Sequence, residues 1–251
     1  MSIDVDLSAL LRPVREGNAF EETVERLLTI IKLGLVAPGH RFPPERELAV
    51  KLGISRLTLR EAIGELHQAG YVESRRGRLG GTFITYTRPA PSVDELRRLA
   101  VEDGHKLTDA LTFRFAVETG AADMLAQQFD LDCPAAGTEA ERDTQQEVLL
   151  TRLADVNAAS AQDYRRLDTL FHLSIAELTG SSLLSSACAD ARLRLNDLLN
   201  AIPVLKLNIT HGATQHAAIV DAILAGEPER ARTAVAEHLA GTGALLRGFL
   251  G

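Results

Sequence analysis

Cysteine is scarce: Cys133 and Cys188 are the only two in 251 residues, far apart and with no CxxC partner. That argues against a disulfide framework and for a reducing, cytoplasmic setting. No apolar run reaches the ~18 residues a membrane span needs, so no membrane partner is expected. The opening MSIDVDLSALLRPVREG has no basic segment followed by a clean apolar stretch, so no secretory signal is expected. An HExxH signature and a nucleophile elbow are both missing, which removes two common marks of a hydrolase. Positive charge is short overall, with a formal net charge of −7.

The remaining composition is that of an ordinary soluble chain, 45% apolar and 24% charged, with room for two modest domains. Charge is unevenly divided. Residues 1–90 carry 13 Lys and Arg against 11 Asp and Glu, a balance of +2, and residues 91–251 carry 14 against 23, a balance of −9. The first region tolerates a polyanion and the second repels one.

In the first ninety residues Asn18 opens a helix, with Glu21 placed as in a capping box. Phe20, Val24, Leu27, Leu28 and Ile31 follow at helical spacing, and Gly34 ends the run. Pro44 suits the first turn of a second helix, with Leu48 and Leu52 on one face and Gly53 as its stop. Ser55 caps a third helix that runs to about Ala69. Two short helices joined at Gly53-Ile54 form a helix-turn-helix pattern.

On the third helix Leu59, Ala62, Ile63 and Leu66 share an inward arc, while Arg56, Leu57, Arg60 and Gly64 point away from it. Such a face fits a major groove: guanidinium groups bind guanine or clamp phosphate, and Leu57 can touch a thymine methyl. Two β-prone runs, Tyr71–Glu73 and Thr82–Tyr86, flank Arg75, Arg76, Gly77, Arg78, Gly80 and Gly81, a hairpin with a basic tip. An arginine pair one turn apart is also an ordinary solvated face, and a glycine-rich hairpin is often only a turn. Occurring in order behind a helix-turn-helix, they point together to DNA.

The stretch FPPERELAVKLGISRLTLREAIGELHQAGYVESRRGRLGGTFI resembles the winged-helix domain of GntR-family transcription regulators. The resemblance implies DNA contacts at Arg46, Ser55, Arg56, Arg60 and Gly77, and the reading of the face and wing adds Leu57, Arg76 and Arg78.

TRPAPSV, residues 87–93, is a Pro-rich connector. Beyond it strand-prone segments are absent, and helices are expected near 92–102, 106–129, 139–158, 162–179, 182–200, 212–225 and 228–249, an antiparallel bundle. Asp168 and His172 lie four apart on one helix, and His216 and His238 each fall on an apolar stripe. One carboxylate and three imidazoles pointing inward from three helices can hold a divalent metal such as Zn²⁺, Ni²⁺ or Mn²⁺. They can also form a polar core network without one. Arg114 sits at core spacing between Leu111, Val117 and Ala121. A buried guanidinium needs a counter-charge, and Glu118 at i+4 and a ligand carboxylate are both candidates.

DTLFH and QHAAIVDAILAGEPERARTAVAEHL resemble the FCD ligand-binding domain of the FadR subfamily of GntR regulators. The resemblance implies metal ligation by Asp168, His172, His216 and His238, an effector-facing Arg114, and about seven helices. The chain is therefore expected to be mostly α. Its parts are an N-terminal arm (1–17), a winged helix-turn-helix (18–86), a linker (87–93) and an all-helical domain (94–251) for effector, metal and dimerisation. The expected function is a homodimeric, non-enzymatic repressor that binds a palindromic double-stranded DNA operator and responds to a small carboxylate. A regulator sensing the metal itself and, less favoured, a metal-dependent hydrolase are the alternatives.

Overall fold

Why α1 (Ala19–Lys32) is a helix is written in its spacing, although its most buried edge is Thr23, Leu27, Ile30 and Ile31, leaving Phe20, Val24 and Leu28 half-buried. It opens a computed structural model that describes residues 19–77, 80–87, 104–202, 204 and 206–250. The expected N-terminal arm, the Asn18 cap, Arg78, linker residues 88–93 and the helix near 92–102 lie outside these residues. The chain divides into two compact units, Met1–Pro89 and Ala90–Gly251.

In the first unit Pro44 is the N-cap of α2 (Glu45–Leu52) rather than part of its first turn, because its ψ of 138° is extended. Gly53 ends the helix at φ 65°, a left-handed conformation that glycine adopts without a Cβ clash, and its N–H closes back on Ala49 O and Val50 O. The chain can then turn sharply into α3 (Arg56–Gln68). Ser55 caps that helix, its Oγ accepting from the Thr58 N–H at 3.0 Å. Leu59, Ala62, Ile63 and Leu66 are buried as expected.

Strands β1 (Val72–Arg75) and β2 (Gly81–Ile84) pair antiparallel, from Val72 opposite Ile84 to Arg75 opposite Gly81. The ladder therefore sits nearer the wing tip than the sequence predicts. Tyr71 and Tyr86 drop out of it and stack on one another instead, with ring centroids 4.9 Å apart. The Phe42 N–H donates to Thr82 O and ties β2 to the segment that leads into α2.

Among the described residues the second unit is all helix: α4 (Gly104–Phe129), α5 (Glu139–Asn157), α6 (Tyr164–Leu178), α7 (Ser182–Ala201), α8 (Lys206–Leu224) and α9 (Pro228–Leu250). Helix α8 starts six residues before the predicted position near 212. Its first turns carry Asn208, Ile209, Thr210 and Gly212, all weak helix formers, which hid them from a reading of the sequence. Helix α9 packs along α4 and α8, and α4 also packs on α6 and α7. Leu125, Phe171, Ile175, Leu195, Val220, Ile223 and Leu246 are buried between them. No helix among the described residues is long and apolar enough to cross a membrane. Cys133 and Cys188 are both free thiols, and burial pushes the Cys188 thiol up to about 12, so it behaves as an inert core side chain.

Candidate functional site

In the first unit the residues expected to contact DNA gather at the head of α3. Arg46, Ser55, Arg56 and Arg60 are exposed, and Leu57 beside them is 68% exposed. A Cβ on Gly64 would meet no atom within 4 Å, so the surface beside the arginines is open. At the wing Arg76 and Gly77 are exposed, and Arg75 stacks over the Phe83 ring at 4.3 Å. One participant went unnoticed in the sequence. Glu45, in the first turn of α2, accepts from Arg60 Nε at 2.8 Å and lies 3.9 Å from Arg56 Nη2. The two guanidinium groups thus share one half-exposed carboxylate.

The second unit places Asp168 and His172 on α6, His216 on α8 and His238 on α9, with one ligand atom from each within 4.8 Å of all the others. Their orientation decides what they can do. His172 Nδ1 lies 2.9 Å from Glu118 Oε2, and His238 Nδ1 lies 3.1 Å from Gln215 Oε1. In the tautomers in which each Nδ1–H donates to these acceptors, both Nε2 atoms carry lone pairs. Those two Nε2 atoms face each other at 3.1 Å. Burial, and then the charge of Arg192, pushes the His172 pKa down to about 4. Burial, then His172 and His216, holds His238 well below its usual range. Protonation therefore does not relieve the opposed lone pairs at neutral pH, whereas a cation between them does.

His216 adds to this. It is fully buried, and neither ring nitrogen makes a hydrogen bond, although Nε2 lies 3.2 Å from Asp168 Oδ1. A buried unsatisfied imidazole is rare enough to require a partner. Nitrogen ligands of a metal at ~2.0–2.1 Å lie about 3.0 Å apart at a right angle and about 3.4 Å at a tetrahedral angle. The 3.1 and 3.2 Å separations fit that spacing. The residues present therefore suit a divalent metal.

Around this cage runs a buried ionic network. Glu118 accepts from Arg114 Nε and Arg192 Nε, both at 2.8 Å on Oε1, and from Arg192 Nη2 and His172 Nδ1 on Oε2. Arg192 also donates from Nη1 to Asp168 Oδ2 at 2.7 Å. Burial pushes both carboxyl groups upward, but the adjacent guanidinium groups outweigh it and hold both well below the usual carboxylate range. Arg192 is raised: Glu118 and Asp168 together overcome its burial. The network orients Asp168 and His172 before any ligand arrives.

A cavity of about 540 Å³ adjoins the cage, lined by Arg114, Asp168, His238, Gln215, Tyr164 and Arg165 among others. Of the two candidate partners for Arg114, the structure shows Glu118. Its Nε is held by Glu118, while its Nη1 is buried with no hydrogen-bond partner. Gly212 keeps the cavity wall open, since a Cβ there would fall 2.4 Å from the Tyr164 hydroxyl.

All four expected cage residues and Arg114 thus come together. Arg192, which joins the network into one piece, was missed. Its signal was the same as that of Arg114: a charged residue among Cys188, Ala189, Ala191 and Leu195 at helical spacing. Gln215, Tyr164 and Gly212 carry no such mark.

Residues 20–84 match the family described as bacterial regulatory proteins, gntR family, and residues 109–241 match the FCD domain. A candidate HTH-type transcriptional regulator, RmpR of Mycobacterium gastri, is 30% identical over 248 residues, covering 92% of this chain and 81% of that protein. A candidate regulatory protein of the L-lactate dehydrogenase operon in Escherichia coli K12 is 31% identical over 235 residues, covering 87% of this chain and 83% of that protein. The Glc operon transcriptional activator of Escherichia coli K12 is 27% identical over 244 residues, covering 91% and 87%.

Proposed function

Because the chain belongs to the GntR family of bacterial regulators and carries an FCD domain, we propose that its DNA binding is controlled by a small carboxylate bound at Arg114 beside a metal cage. It is a DNA-binding transcription regulator and not an enzyme. Two copies related by a two-fold axis read a palindromic operator, so operator symmetry follows from protein symmetry. Arg56 and Arg60 address base edges or phosphates in the major groove, with Leu57 beside them, while Arg46 and Ser55 anchor the backbone. The wing residues Arg76, Gly77 and Arg78 reach the neighbouring minor groove.

Asp168, His172, His216 and His238 hold the metal, a Zn²⁺, Ni²⁺ or Mn²⁺ ion, by one carboxylate oxygen and three imidazole nitrogens. A divalent ion there supplies concentrated positive charge next to the cavity. Arg114 presents the unpartnered Nη1 to one carboxylate of the effector, and Glu118 fixes its guanidinium plane through Nε. The name of the L-lactate operon relative agrees with a small carboxylate as the ligand class. The chain acts as a repressor when the effector prefers the dimer geometry in which the wings no longer match the operator, since only differential affinity shifts such an equilibrium.

The observation that carries the reading is the pair of Nε2 atoms opposed at 3.1 Å, with the unpartnered ring of His216 and an orphaned guanidinium nitrogen nearby. The test is metal content by elemental mass spectrometry on untagged protein purified without chelator. About one ion per protomer is expected at this single cage, lost in His216→Ala and His238→Ala. Wild-type protein that neither retains nor takes up metal overturns the cage. Arg114→Ala is expected to keep operator binding while losing the effector response, and a normal response overturns the carboxylate site. If metal alone releases the operator, the metal is the signal.

A further inference from the structure

The buried charges around the cage point beyond a simple carboxylate, given the effector reading above. Arg114 and Arg192 are offset by Glu118 and Asp168, so the network is neutral before any ion is bound. A divalent metal then leaves two positive charges without a counter-charge in a buried place, a costly state. Arg165 adds a third. It lies one turn before Asp168 on α6, lines the same cavity, and makes no ion pair among the described residues. Its Nη2 donates to Ile202 O at 2.7 Å, which holds the guanidinium in place at the end of α7. Burial, its largest influence, lowers its pKa, with Asp168 opposing.

Among the described residues Asp168 is the only carboxylate lining this cavity, and it is already engaged by Arg192. The wall thus presents two guanidinium groups and one committed anion. We propose that Arg165 forms a second anion subsite and that the effector is a short dicarboxylate, with one carboxylate at Arg114 and the other at Arg165. A monocarboxylate compensates only one of the excess charges and leaves Arg165 facing an empty cavity. A dianion compensates two and gives each guanidinium a charge-assisted partner. The cavity, about 540 Å³, has room for a chain of several carbons between the carboxylates.

The experiment is calorimetric titration of the metal-loaded full-length protein with acetate, malonate, succinate and glutarate. The best diacid is expected to bind roughly tenfold tighter than acetate or better, the scale of one added charge-assisted contact. Arg165→Gln is expected to erase most of that advantage, and Arg165→Lys to retain much of it. Circular dichroism and metal content of both variants check that the fold and cage survive. Acetate binding as tightly as the best diacid, or Arg165→Gln keeping the full preference, overturns the subsite. If acetate binds and loses its affinity in Arg114→Gln, the carboxylate site stands even when the second subsite falls. If no acid binds the metal-loaded wild type, the carboxylate reading itself fails and takes this inference with it.

Discussion

Each unit of this regulator sets two arginines on one glutamate, with opposite consequences. Arg56 and Arg60 share Glu45 at the surface, their side chains about 60% exposed. Arg114 and Arg192 share Glu118 in the interior, where all three side chains are at most 3% exposed. Water screens the first set, so each pair is worth up to about 1 kcal/mol and is readily exchanged for another partner. The second set has no water to fall back on, so every charge must keep its partner. The same chemistry therefore gives an exchangeable grip in one place and a rigid scaffold in the other.

Removing Arg192 should break that contrast most strongly. Arg192→Ala leaves Glu118 and Asp168 short of counter-charge and is expected to cost about 3–5 kcal/mol in chemical denaturation, with metal content lost as well. A cost under about 1 kcal/mol would mean that the buried network is no stiffer than a surface pair. Gly212→Ala comes next. Its Cβ would collide with the Tyr164 hydroxyl at 2.4 Å, and overpacking of this kind costs ~1–3 kcal/mol. Adding Tyr164→Phe should restore most of the loss in thermal melting, and no recovery would assign the strain elsewhere.

Arg60→Ala sharpens the other side of the comparison. Operator discrimination measured by fluorescence anisotropy at fixed salt should fall by ~1–3 kcal/mol, while stability and metal content stay at wild-type values. Unchanged operator binding would remove α3 from the reading surface. The smallest effect on the fold is expected from Glu45→Gln, under about 1 kcal/mol for a pair this exposed. Its DNA affinity should nevertheless rise, most for non-specific sequence at low salt, because both arginines lose their internal competitor. A fall in affinity would show that Glu45 positions Arg60 rather than competes for it.

How much was legible beforehand follows from the range of the interactions. The helix-turn-helix was readable because Ser55, Gly53 and the Leu59–Leu66 arc act within a few residues of chain. The inward stripes of His216 and His238 were readable for the same reason, since each lies on one helix with period 3.6. Glu45 escaped notice because it reaches Arg60 across fifteen residues and two helices. Arg192 escaped because its partners stand 74 and 24 residues away. The wing ladder slipped toward its tip because the Tyr71–Tyr86 stack is a cross-strand choice, invisible along either strand.

What the amino-acid order determined by itself was which residues are inward, capped, turned or exposed, because those preferences are paid locally in backbone conformation and burial. Tertiary structure alone decided which inward charges meet. It set His172 against His238 with their Nε2 atoms opposed, gave Glu118 to two arginines at once, and left one nitrogen of Arg114 buried without a hydrogen-bond partner. Those outcomes depend on how α4, α6, α7, α8 and α9 settle against one another. In a dry interior a difference of one ångström decides whether a charge is compensated, and spacing along a chain carries no information on that scale.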